Sequence, residues 1–71
     1  MSVQTLGEKR VRLSFNPSEK DQVLEVKKAT ASLIDTLDRQ ICSSDEKFRL
    51  IEIAILKYEE AAMWAVKALT A

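Results

Sequence analysis

Histidine is absent from this 71-residue chain, and cysteine, glycine and proline occur once each, as Cys42, Gly7 and Pro17. Without histidine there is no reasonable zinc set, and a general base would have to be a carboxylate or lysine in a desolvated pocket. A lone cysteine rules out an internal disulfide. With no glycine or proline after Pro17, nothing interrupts helical structure over the rest of the chain. No run approaches the roughly eighteen apolar residues that would suggest a membrane span, and the N-terminus lacks a signal-peptide pattern. An intracellular soluble protein without a membrane partner is expected. An excess of positive charge is missing too: 11 Lys and Arg face 11 Asp and Glu, for a net charge of zero. A protein that neutralises many phosphates of a long nucleic acid is normally basic, so polymeric DNA or RNA is not an expected partner.

A chain of this size forms one domain, expected over residues 1–71, and buries only about 60–65% of its unfolded surface. Disulfides and metals being excluded, self-association is the expected source of additional stability.

Residues 1–15 show no sustained helical stripe. Val11, Leu13 and Phe15 alternate with Arg12 and Ser14, which predicts an extended N-terminal arm. Asn16-Pro17-Ser18-Glu19 reads as a helix start: Asn16 as N-cap, Pro17 at the first helical position, Glu19 completing a capping box. The first helix is assigned to residues 16–42, its body running from Pro17 to Ile41. Val23, Val26, Thr30, Leu33 and Leu37 form one seam, widened by Ala29, Ala31 and Ile34. Cys42-Ser43-Ser44 is the expected turn, with Ser43 and Glu46 as a second capping box. The second helix is assigned to residues 43–71, with its body from Ser44 to Leu69. Phe48, Ile51, Ile55, Tyr58, Ala62, Ala65 and Leu69 keep a heptad spacing, while Leu50, Ala54, Ala61, Trp64 and Ala68 form a stripe beside it. Ile53, Leu56 and Met63 fall on another face. A helix apolar on most sides is buried on most sides, so the fold class is all-α: an antiparallel two-helix hairpin assembling into a helical homo-oligomer.

The carboxylates fall mostly on polar faces, and adjacent Glu59 and Glu60 point about 100° apart. Cys42 has no basic helper. No catalytic residue, metal ligand or cofactor is assigned. Tyr58 and Trp64 read as core. The stretch around Phe15 admits two readings. A phenyl ring, a helix start and the ammonium groups of Lys27 and Lys28 would suit a small aromatic ligand bearing phosphate. Equally, Phe15 is a hydrophobic staple, the lysines are solvated, and Thr30 bonds back to its own helix.

Arg12-Leu-Ser-Phe-Asn-Pro-Ser18, Val26-Lys27, Ala31-Ser-Leu-Ile-Asp35 and the run Tyr58-Glu-Glu-Ala-Ala-Met-Trp-Ala-Val-Lys-Ala-Leu-Thr70 resemble the phage anti-CBASS cyclic-oligonucleotide sponges. Related hairpin modules occur in phage anti-Thoeris sponges. The resemblance implies a non-enzymatic helical protein, a homohexamer in the cytoplasm of the infected bacterial host, that binds cyclic di- or trinucleotides between subunits without cleaving them. The host's defence effector is thereby deprived of its signal. It further implies pocket roles for Phe15, Asn16, Lys27 or Lys28, and Thr30. Phe15 would stack on a base, the lysines would neutralise phosphate, Asn16 and Thr30 would bond base edges or phosphate oxygens, and Arg12 is a further phosphate candidate. A helical protein–protein interaction module with no nucleotide ligand is the alternative.

Overall fold

Thr5 begins the first helix by accepting a hydrogen bond from the Glu8 N–H, while the Glu8 carboxylate accepts one from the Thr5 N–H. This reciprocal cap holds a short helix, α1 (Leu6–Arg10), where the alternation of apolar residues predicts an extended arm. Val11, Leu13 and Phe15 lie in a turn following α1, so their spacing is not that of an extended arm. The computed structural model describes residues 3–71; Met1 and Ser2, part of the expected arm, lie outside the described residues.

The second helix, α2 (Asp21–Asp38), starts later than the Asn16-Pro17 signature predicts and ends before Ile41. Asn16 is not its N-cap. Asn16, Pro17, Ser18 and Glu19 form their own turn, closed by the Glu19 N–H on the Asn16 carbonyl at 3.1 Å. The Asn16 amide donates to the Lys20 carbonyl, and its Oδ1 accepts from the Ser18 hydroxyl. Glu19 adopts the left-handed region with φ 56°, which prevents it from acting as the third helical residue. Lys20 becomes the N-cap and supplies no side-chain cap bond.

The third helix, α3 (Asp45–Leu69), is capped by Ser44, whose hydroxyl accepts from the Lys47 N–H. The cap is therefore one residue beyond the expected Ser43. Lys20 Nζ donates to the Leu69 carbonyl at 2.8 Å, joining the start of α2 to the end of α3 as an antiparallel hairpin requires. Side-chain caps start α1 and α3 but not α2, and no strand occurs among the described residues.

The core joins Val11 from the turn after α1, Ala31 and Ile34 from α2, and Ile55 and Ala62 from α3. Leu6, Leu13, Leu37 and Ile51 pack around it. On α2 the buried line is Val23, Lys27, Ala31 and Ile34, offset from the expected seam; Leu33 is 48% exposed. α2 is covered on two sides, by α3 and by α1, and its buried arc is centred between them. α1 approaches α2 through Gly7, whose N–H donates to Asp35 Oδ1 at 2.7 Å. Phe48, Leu50, Ile53, Leu56, Met63, Trp64 and also Tyr58, expected in the core, remain exposed on α3 in the single chain. Trp64 in particular is outside the core, at 57% exposure, because a single partner helix covers one side of α3.

Candidate ligand site

Lys27 is placed by helical spacing on the buried line of α2, between Val23 and Ala31. Its side chain runs through the interior and leaves the residue 6% exposed. The ammonium donates to the Arg12 carbonyl at 3.0 Å and to the Phe15 carbonyl. The same Arg12 carbonyl accepts the Phe15 N–H at 2.9 Å, closing a turn over residues 12–15. Arg12 takes a left-handed backbone, φ 56°, as the chain reverses. Burial, followed by the neighbouring Arg12 guanidinium, pushes the Lys27 pKa down from 10.5.

This turn sets the Phe15 ring at the surface, 55% exposed. The Arg12 guanidinium carbon lies 4.8 Å from the ring centroid and Lys27 Nζ lies 5.7 Å from it. Both distances are within the range of cation–π attraction.

Phe15, Arg12 and Lys27 line a cleft of about 460 Å³ between the turn and the C-terminal half of α3. Its apolar lining comes from Val11, Leu56, Ala62, Met63 and Val66. Its charged lining is Arg10, Arg12, Lys27 and Lys67 against Glu59 and Glu60. Arg10 pairs with Glu59 at 3.2 Å, so the cleft keeps an excess of positive charge. Lys67 sits 4.8 Å from the Trp64 ring centroid. Phe15 and Arg12 also line a shallower depression with Gln4, Lys9 and Ser14. Such a surface, apolar with one exposed aromatic face and surplus cations, suits a ligand that combines flat rings with negative charge.

The remaining expected residues lie elsewhere. Lys28, one position along α2, opens on a separate depression with Ser32, Asp35 and Arg39. Thr30 is half-buried and its hydroxyl donates to the Val26 carbonyl at 2.8 Å, the local back-bond that its sequence position also permitted. Asn16 is engaged in its own turn. Within one chain, then, Arg12, Phe15 and Lys27 come together, while Asn16, Lys28 and Thr30 do not join them. Lys9 and Lys67 are neighbours of the site that the sequence did not single out. Lys67 was legible only through its place one turn from Met63 on α3, and Lys9 carried no signal before α1 was known.

Among the described residues, no three His, Cys, Asp or Glu side chains are grouped as a metal set, and no helix is long and apolar enough to cross a membrane. No curated protein and no solved structure matches the chain. The model of one family, described as Acb2/Tad1, hairpin domain, matches residues 7–70. That match covers nearly the whole chain, from the glycine that docks α1 to the end of α3. The chain belongs to the Acb2/Tad1 hairpin-domain family, the anti-CBASS and anti-Thoeris sponge family.

Proposed function

We propose that this protein is a viral sponge that captures cyclic oligonucleotide second messengers without cleaving them. It acts in the cytoplasm of the infected bacterial host, where it keeps the messenger from CBASS effectors. Cyclic dinucleotides are the principal ligands, and cyclic trinucleotides a further class. Family membership supports the reading, and one structural observation carries it: the Phe15 ring, exposed and flanked by a guanidinium, at the edge of an apolar cleft with surplus positive charge.

In this reading Phe15 stacks on a base, and Arg12 faces phosphate. Lys28, Thr30 and Asn16 act from a neighbouring copy, since in one chain they lie away from the cleft. The apolar residues left exposed on α3 support such an assembly, and the family resemblance supplies its count, a homohexamer. A cyclic dinucleotide has near two-fold symmetry, which a two-fold interface between copies matches by presenting every side chain twice. A trinucleotide would suit a three-fold axis, and dihedral hexamers possess both. Two phosphate contacts at roughly 1.5–3 kcal/mol and two stacked bases at roughly 1–3 kcal/mol give about 5–12 kcal/mol. Nanomolar capture needs about 12 kcal/mol, which calls for a largely preformed pocket.

Titration calorimetry with cyclic di-AMP, cyclic di-GMP and cyclic GMP–AMP, with a linear dinucleotide as control, tests the reading. Saturable heat with at least one cyclic ligand, with the affinity weakened in Phe15→Ala, is expected. Absence of heat with every cyclic ligand, together with capture of a host protein, would favour the protein–protein interaction module.

A further inference from the structure

Lys27 is the one charged residue among the described residues that is buried, and no carboxylate accepts from its ammonium. A charge held inside a small core is costly unless hydrogen-bonded, and a methionine would fill the same line of α2 without that cost. What the ammonium does instead is bridge the two carbonyls that bound the turn, Arg12 and Phe15. The turn contains a left-handed Arg12, a conformation that a non-glycine residue keeps only when its surroundings hold it there. Its other ties are the Phe15 N–H to the Arg12 carbonyl, the Arg12 N–H to the Lys9 carbonyl, the Leu13 N–H to the Glu8 carbonyl and, at the surface, the Gln4 amide to the Ser14 hydroxyl; none of them holds the Phe15 carbonyl. The ring that the turn carries has few side-chain neighbours to fix it, being more than half exposed.

We propose that Lys27 is a positioning residue for ligand capture: its ammonium clamps the Arg12 and Phe15 carbonyls and so holds the Phe15 ring ready at the edge of the cleft. This rests on the reading that the cleft takes a cyclic dinucleotide, and it gives Lys27 a role through Phe15 in place of a phosphate contact. An aromatic side chain held in place before binding loses less freedom when a base stacks on it, and the difference is expressed as affinity. Lys27 and Lys28, though adjacent, therefore have different tasks: one fixes the stacking ring, the other offers charge on a different face of α2.

A double-mutant cycle separates these tasks. A residue that acts through Phe15 loses its effect once the ring is gone, whereas one that touches phosphate independently does not. Affinity for cyclic GMP–AMP is measured for wild type, Lys27→Met, Phe15→Ala and the double variant, alongside amide exchange in the free proteins. Lys27→Met is expected to weaken binding about tenfold or more beside Phe15 and less than about twofold in the Phe15→Ala background. The Phe15 amide should exchange faster by about tenfold in free Lys27→Met, while amides in the middle of α2 and α3 keep their protection. Equal losses in both backgrounds, or an unchanged Phe15 amide, would overturn the proposal. If wild type binds none of the three cyclic dinucleotides, the functional reading fails and the ligand role with it; the exchange measurement still decides whether the clamp exists. Should Lys27→Met not fold, the wild-type protein decides: slowly exchanging Lys27 Nζ protons with cross-peaks to the Phe15 ring are expected, and solvent-averaged ones would contradict the clamp.

Discussion

Gly7 lies so close to Ala31 that a Cβ built on it would fall 2.1 Å from the Ala31 carbonyl oxygen. The obstructing atom is backbone of α2, which cannot turn aside as a flexible side chain would. Gly7→Ala should therefore force α1 away from α2 and break the Gly7 N–H bond to Asp35. Overpacking of this kind costs about 1–3 kcal/mol, to be read as a lower urea midpoint and loss of α1 amide protection. Asp35→Ala, which removes only the acceptor, should cost about 1–3 kcal/mol by a different route.

Lys27 links stability to pH. Its folded-state pKa is lowered from 10.5, chiefly by burial and next by Arg12. Arg10, Lys67, Glu59 and Glu60 are the other charged groups lining the same cleft. Between the lowered value and 10.5, the unfolded chain binds more protons at this position than the folded chain. Stability from Lys27 consequently rises with pH across that window and is lost as pH falls through the folded pKa. The deprotonated amine keeps two N–H donors, enough for both carbonyls. Urea unfolding of wild type and Lys27→Met toward pH 10.5 checks this: the wild type should gain relative to the variant as pH rises.

The exposed stripe of α3 predicts self-association. Leu50 and Trp64 are both more than half exposed and neither lines the cleft. Burying such side chains is worth roughly 1.5–3 kcal/mol each. Sedimentation should show wild type well above the 8.0 kDa of one chain. The double variant Leu50→Glu with Trp64→Glu should shift it toward the single-chain mass with helicity retained.

How much of this could be read from the residues differs by element. The third helix was almost fully legible from its unbroken apolar spacing, although adjacent Ser43 and Ser44 both offer a cap and the structure uses Ser44 where Ser43 was expected. The start of α2 was not. Asn-Pro-Ser-Glu satisfies the rules for a helix cap and also those for a turn in which Asn16 bonds its neighbours, and the turn prevails here. α1 was missed although Thr5 and Glu8 carry a capping-box spacing, since five residues containing a glycine give little periodicity. The cleft was half legible. Phe15 was singled out from its chemistry and Arg12 through the family resemblance, but a lysine on a core line reads as surface until the turn that needs it is seen.

Phe15→Ala removes the stacking face while leaving the carbonyl that Lys27 holds. Affinity for the preferred cyclic dinucleotide should fall by the worth of a stacked base, about 1–3 kcal/mol for each ring in contact. Thermal unfolding of the free protein should change little, because the ring lies outside the core. Lys28→Ala should weaken binding about tenfold, the value of one charge-assisted contact of roughly 1.5 kcal/mol, with oligomer mass unchanged.

Capture without cleavage is tested most directly by recovering the ligand. The protein is saturated with cyclic GMP–AMP, separated from free ligand by gel filtration, denatured by heat, and the released nucleotide is chromatographed. Stoichiometric return of intact cyclic ligand is the expected result. A linear product, or no ligand carried through the column, would contradict the account.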